Sequence, residues 1–397
     1  MQRGQLTRRR AVLGGLSLLL LSGCASFDFP SRGGPSPPRT DTSLAPVQGR
    51  TLGTGPVRVA LLLPLSGDAG LAAIATSMQN GAQLAMEFIG GNPNMTDNIT
   101  VVVKDTGTTA AGAASAANQA VSEGASLILG PLRADQVTAA GGVARSAGIP
   151  VIGFSNNSGA AAPGVYLLNV LPESEVRRSI GYAQAIGKKA FAGIFANTDF
   201  GRIQQSAFQQ AAADLGANVV AVYNFSSEAE ARDVVAQIAP TLIAGQIDAL
   251  FLPDRATAPS FGVLLDEAKV PTGGAQIIGS ADWNNDVKIQ STPHLVGAIY
   301  PAIDERGYQA ILPQYTQRFG GTPHPFVTLA YTAVILANVS SLSLGTPRYN
   351  ASLLTAPGGF NGRDGVFRFL SDGRSQYALV VKKVIPNGTT VVDAAKL

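Results

Sequence analysis

The sequence predicts an α/β protein of two doubly wound lobes, each a parallel sheet covered by helices. Three observations lead there. From residue 57 onward, short apolar runs alternate with longer stretches of helical spacing. The alternation comes in two series, one running to about residue 170 and another starting near 188. The 397 residues are 46% hydrophobic and only 14% charged, which suits well-buried sheets in a chain of two domains.

The first series opens on Val57-Arg58-Val59-Ala60-Leu61-Leu62-Leu63-Pro64, an apolar run stopped by proline and read as a buried strand. The loop Ser66-Gly67-Asp68-Ala69-Gly70 follows. Residues Leu71 to Ile89 carry Ile74, Met78, Ala82 and Ala85 at helical spacing. Then come a strand at Ile99–Lys104, an alanine-rich helix at Ala110–Glu123 and a strand at Leu127–Leu129. After the loop Gly130–Asp135, a helix at Gln136–Ala147 leads into a strand at Ile149–Phe154. The second series has strands at Ala190–Ala196, Val219–Tyr223, Ala249–Leu252 and Gln276–Gly279. Helices at Phe200–Leu215, Glu228–Ala244 and Pro259–Ala268 separate them, as parallel sheets require. In the tail, Leu329–Leu344 reads as a helix. Val366–Phe369 and Tyr377–Lys383, on either side of Ser371-Asp372-Gly373, read as a hairpin.

The N-terminal segment reads as an export signal. Arg8-Arg9-Arg10 precede an uncharged run from Ala11 to Leu21, too short for a permanent span. Leu21-Ser22-Gly23-Cys24 then resembles the bacterial lipobox, in which the thiol is acylated and the chain is cut before it. Residues 1–23 are thus expected to be a lipoprotein signal peptide. Residues 24–56, rich in Pro, Gly, Ser and Thr, are expected to be the lipidated cysteine and a tether. Removing 1–23 takes away Arg3, Arg8, Arg9 and Arg10 and no acid, which turns the formal charge from +3 to −1. The basic balance belongs to the signal, so no nucleic-acid partner is expected. Cys24 is the only cysteine, so the fold relies on its packed core rather than on an internal disulfide.

An ordered set of motifs carries a family resemblance. Leu61-Leu62-Leu63-Pro64-Leu65-Ser66-Gly67, Leu129-Gly130-Pro131-Leu132, Gly148-Ile149-Pro150-Val151-Ile152 and Asp199-Phe200-Gly201 resemble the leucine-binding-protein family, the type I periplasmic-binding-protein fold. The resemblance covers 57 to about 385 and implies two Rossmann-like lobes closing on a ligand like a hinge. It places lobe one at 57–168 plus about 299–350. Lobe two is then 169–298 plus about 351–397.

In open parallel sheets, ligands sit beyond the carboxyl ends of the strands. That rule selects Ser66 and Asp68 in the first loop, Arg133, Ala134 and Asp135 in the second, and Ser155, Asn156 and Asn157 in the third. Lobe two offers Phe200, Arg255 beside Asp254, and Asp282 beside Trp283. Aligned on the family, Ala134 stands where amino-acid binders place a carboxylate-holding serine, and Ser155 and Asn157 occupy the next loop's carbonyl and threonine places. Phe200 keeps the aromatic residue without its hydroxyl. The acid that grips the ligand ammonium aligns to Ala281 or, shifted by one, to Asp282. These departures bear on whether the ligand is a free α-amino acid. Duller readings stand beside each: loop or helix caps for Ser66, Asp68 and Asp135, turns for the asparagines, an ion pair for Arg255, and packing for Trp283 and Phe200.

No enzyme is expected. His294 and His324 each adjoin proline and have no partner spacing for a metal or a triad, and no phosphate loop appears, so neither cofactor nor metal is called for. Two roles fit the resemblance. One is a lipoprotein that captures a small amino-acid-like ligand and presents it to an ABC permease. The alternative is a penicillin-binding-protein activator acting on a peptidoglycan synthase, since Gly130-Pro131-Leu132 also resembles those lipoproteins. The expected location is the periplasm, membrane-bound through lipid on Cys24, and Ala25 favours the outer membrane.

Overall fold

The computed structural model describes residues 46–397. The signal segment 1–23, Cys24 and most of the expected tether lie outside the described residues. In the first lobe, β1 (Thr51–Leu52), β2 (Val57–Leu63), β3 (Ile99–Asp105), β4 (Leu127–Leu129), β5 (Val151–Gly153) and β6 (Val165–Leu167) form one sheet. Its order is β1-β3-β2-β4-β5-β6, and all pairs are parallel except β1 with β3. Side chains alternate across it with the two-residue period of a strand. Val59, Leu61 and Leu63 enter the core shared with α1 (Ala69–Gly91). Ala60 and Leu62 face α2 (Ala110–Ser122) and α3 (Ala134–Ser146). The alanines of α2 that are buried, Ala113, Ala116, Ala117 and Ala120, let that helix lie close to the sheet.

The chain crosses to the second lobe into α4 (Pro172–Ala185). There follow β7 (Ala190–Ala196), α5 (Asp199–Asp214), β8 (Asn218–Phe225), α6 (Glu228–Ile243), β9 (Ala249–Phe251), α7 (Ala258–Glu267), β10 (Gln276–Ile278), the short α8 (Val287–Ser291) and β11 (Ile299–Ala302). Again the faces alternate: Ala192 and Ile194 enter one core, Phe191 and Phe195 the other. The chain then returns to the first lobe as α9 (Arg306–Phe319), α10 (Val327–Asn338) and the short α11 (Ser340–Ser343) and α12 (Ala351–Leu354). A small antiparallel sheet of β12 (Phe360–Gly362), β13 (Gly365–Phe369) and β14 (Ser375–Tyr377) comes next. Finally β15 (Leu379–Ile385) and β16 (Gly388–Lys396) complete the second sheet, in the order β16-β15-β11-β10-β9-β7-β8.

Two lobe boundaries differ from expectation. The return to the first lobe, expected at about 299, comes later in the chain, because Ile299–Ala302 is a strand of the second sheet, paired with β10 and β15. Pro301 hides it from a pattern reading. The β10 ladder ends at Ile299, before the proline, so that side needs no N–H from it. At the other end, about 351–397 is expected in lobe two, yet Phe360, Phe367, Phe369 and Tyr377 pack into the first lobe's core. The expected hairpin is therefore split. Gly365–Phe369 pairs with Ser375–Tyr377, and the run changes lobe at Ala378 before β15 begins. A continuous apolar run does not mark where its partner changes.

Candidate functional site

The site is assembled where the strand order reverses in each sheet. In the first lobe, β2 lies between β3 and β4, and the helices after β2 and β3 take opposite faces. The loops after β2, β4 and β5 therefore open into one crevice. Gly130 turns the chain after β4 with φ +82°, and a Cβ there would stand 2.2 Å from the Leu62 carbonyl oxygen, so only glycine fits. The loops after β4 and β5 are tied together: Gly130 N donates to the Ile152 carbonyl at 2.8 Å and Phe154 N to that of Pro131 at 2.9 Å.

These loops wall a cavity of about 560 Å³, lined by Leu132, Arg133, Ala134, Asp135, Phe154, Ser155, Asn156, Asn157, Asn169, Phe200 and Phe326. Arg133, Ala134, Asp135, Ser155, Asn156, Asn157 and Phe200 were all singled out from sequence, and the fold brings them together. Arg133 caps α3 without a side-chain hydrogen bond, which leaves the first-turn N–H groups at the cavity with no side-chain acceptor. Its Nε lies 3.2 Å from Asp135 Oδ1, with both side chains about half exposed, a geometry that contributes little to stability. Ser155 is buried, and its Oγ accepts from Asn157 N at 3.1 Å. Asn157 Oδ1 in turn accepts from Gly159 N at 2.9 Å and caps the short turn Ser158–Ala160. Phe200 enters from the second lobe, one residue into α5, whose cap Thr198 accepts from Gly201 N.

Other candidates stand apart. Ser66 serves its own loop. Its N–H, with those of Leu65 and Gly107, donates to Asp105 Oδ1 at 2.9–3.1 Å. Burial pushes the Asp105 carboxyl up, but the Ser66 hydroxyl and these N–H groups outweigh it and hold the group below its usual range. Asp68 caps α1 by accepting from Leu71 N at 2.9 Å. Trp283 is fully buried beneath Gly279 and beside Tyr300, so the cleft-lining reading gives way to the packing one. Arg255 is exposed, with Nε 3.7 Å from Asp286 Oδ2. Asp282 has accessible surface, yet the protein crowding around it raises its pKa; Asp254 adds to this and Arg255 opposes it. Neither residue lines the cavity.

Sequence reasoning missed Leu132, Phe154, Asn169 and Phe326. Asn169 had a signal: it is the one polar residue in Val165-Tyr166-Leu167-Leu168-Asn169-Val170-Leu171. Its Nδ2 donates to the Phe154 carbonyl at 2.7 Å. Phe326 had none, since it reaches the cavity from the far end of the chain. The histidines take structural parts. His294 Nδ1 lies 2.6 Å from Asp266 Oδ1, and His324 Nδ1 accepts from Phe326 N at 3.2 Å. Among the described residues no cluster of His, Cys, Asp and Glu could hold a metal, and no helix is long and apolar enough to cross a membrane.

Comparison with known proteins agrees with this fold. Residues 56–338 match the periplasmic binding protein family, and the chain belongs to it. That family is a class of substrate-binding rather than enzymatic proteins. A putative branched-chain amino acid ABC transporter from Rhodospirillum rubrum is similar at a TM-score of 0.69 and 20% identity, over 85% of this chain and 99% of that one. A branched-chain amino acid transporter substrate-binding protein from Streptococcus pneumoniae, solved with isoleucine, gives 0.58 and 20% over 85% and 99%. A solute-binding protein of an ABC transporter from R. palustris, solved with benzoate, gives 0.57 and 18% over 86% and 98%. The architecture is that of the type I periplasmic binding proteins. No curated protein matches the chain by sequence.

Proposed function

We propose that this chain is a lipid-anchored periplasmic binding protein that takes a small amino-acid-like ligand between its lobes for an ABC permease. The cavity carries this reading: it lies at the strand-order reversal of the first lobe and is faced by Phe200 of the second. A ligand carboxylate fits the open N–H groups at the start of α3 beside Arg133, where helix dipole and guanidinium act in the same sense. Ser155, Asn156 and Asn157 supply neutral hydrogen bonds, and Phe154, Phe200 and Phe326 an apolar wall. Arg255 and Asp282 belong to the second wall, brought nearer as the lobes close. Solved proteins of the same fold carry isoleucine or benzoate, each a small carboxylate, which supports the class of ligand.

Calorimetric titration of the branched-chain amino acids tests the assignment. Arg133→Ala and Asn157→Ala are each expected to weaken the bound amino acid about tenfold or more, about 1.4 kcal/mol. Affinity unchanged in both variants removes these residues from the site.

A second reading keeps the fold and changes the partner. Ala25 after Cys24 and the tether over 24–56 favour an outer-membrane protein reaching toward a peptidoglycan synthase. Fractionation to the outer membrane, with recovery of a class A penicillin-binding protein on the tagged chain, favours that role. Inner-membrane residence favours the importer.

A further inference from the structure

Three stretches of chain connect the lobes: 168–171, 303–305 and Ala378. Around the first and third, a line of hydrogen bonds runs from the cavity wall into the second lobe. Asn169, which lines the cavity, donates from Nδ2 to the Phe154 carbonyl at 2.7 Å, and its Oδ1 accepts from Val170 N at 2.8 Å. Its own carbonyl accepts from Ser375 Oγ at 2.7 Å. The Ser375 carbonyl then accepts from Ser174 Oγ at 3.2 Å, in the first turn of α4. Ser375 is buried, and the tip of its hairpin is pressed against the first sheet's edge. Leu167 N donates to the Gly373 carbonyl at 2.9 Å, and a Cβ on Gly373 would stand 2.1 Å from the Val165 carbonyl oxygen.

We propose that Asn169 is a positioning residue that sets the angle between the lobes, by clipping the cavity wall to the first crossing and, through Ser375, to the third. A hinge is set by the few residues that absorb the backbone change between its states. Here one side chain holds the carbonyl at the end of a cavity strand while its main chain is gripped by the other crossing. The middle crossing has a separate fastening, in which Glu305 accepts from Asn284 and Asn285 and pairs with Lys382. Loss of the Asn169 clip therefore loosens the hinge without parting the lobes.

The test is the separation between spin labels on Phe88→Cys in α1 and Ile243→Cys in α6, both exposed positions, in the full chain carrying Cys24→Ser. Asn169→Ala is expected to shift the mean separation or broaden its distribution beyond the wild-type width. Asn169→Asp, which cannot donate to the Phe154 carbonyl, is expected to do the same. Ser375→Ala removes a single hydrogen bond and keeps the test open if the Asn169 variants fold poorly; it is expected to shift the distribution in the same sense. Wild-type distributions in the folded variants, with or without a lower Tm, overturn the proposal and leave Asn169 a fold-supporting residue. No ligand is added, so the outcome is independent of whether the cavity binds an amino acid.

Discussion

Lys104→Met is expected to cost about 3–5 kcal/mol of unfolding free energy, the penalty for removing one partner of a buried ion pair. Lys104 stands on β3 with only 2% of its side chain exposed, and its Nζ lies 2.6 Å from Glu123 Oε2, itself 9% exposed. The same ammonium donates to the Gln48 carbonyl at 2.6 Å, and Gln48 N donates to Glu123 Oε1 at 3.0 Å. The pair thus fastens the arm that runs into β1 against the edge of β3, ahead of the family match that begins at 56. With Lys104 gone, the buried Glu123 carboxylate loses its cation and keeps the Gln48 N–H of the arm. Denaturant unfolding should show the loss, and limited proteolysis should find the arm at Gln48–Gly53 cut sooner. The double variant Lys104→Met/Glu123→Leu should recover much of the loss, because no charge is then left alone. A loss under about 1 kcal/mol for Lys104→Met would mean that the pair behaves like a surface bridge.

The second large effect is on pH dependence and concerns Glu175 in the first turn of α4. Burial, then the charges of Asp282 and Glu173, push its carboxyl from 4.5 up to about 8, against the Ala281 N–H that donates to it at 2.9 Å. A carboxyl with a raised folded-state pKa binds its proton more tightly folded than unfolded. Its contribution is complete below 4.5 and is lost as pH rises toward and through about 8. The loss at the upper end is on the order of 4 kcal/mol. Asp364, raised by burial to about 6 with only the Thr328 hydroxyl opposing, adds a smaller loss between 3.8 and about 6. Asp105 and Asp248 have lowered values and act oppositely, their contributions vanishing as pH falls below the ordinary aspartate value of 3.8. Glu175→Gln keeps an acceptor for Ala281 N and cannot ionise. Its unfolding free energy should therefore hold up between neutrality and about pH 8, where the wild type declines. Parallel decline in the two proteins would remove Glu175 from the account of alkaline destabilisation.

Much of the architecture is legible in the chain because strand period and helix period differ. Leu127–Leu129 and Ala190–Ala196 are strands at the bounds read from sequence, and α1 follows the apolar spacing of Met78, Ala82 and Ala85. What escaped was long-range. β11 is masked by Pro301, and β15 is separated from β14 only by Ala378, a change of lobe that no local pattern records. The helix Pro172–Ala185, absent from the expected elements, carries start signals in Pro172 and first-turn Glu173 and Glu175. The site divides in the same way. Loops that follow strands, such as Arg133–Asp135 and Ser155–Asn157, are found by topology alone. Whether Trp283 lines a cleft or fills a core depends on Tyr300, which packs beside it from the adjacent strand β11 in the same core.

The most direct measurement is a thermal-shift screen of the wild-type protein against the twenty amino acids. A ligand that binds only the folded form stabilises it by about 2.7 kcal/mol at a hundredfold excess over its Kd. At least one amino acid, with the aliphatic ones foremost, should raise Tm in a concentration-dependent way, and Arg133→Ala, with about tenfold weaker binding, should cut the stabilisation at that ligand concentration to about 1.4 kcal/mol or less. A flat response to all twenty contradicts the binding role assigned to the cavity between the lobes.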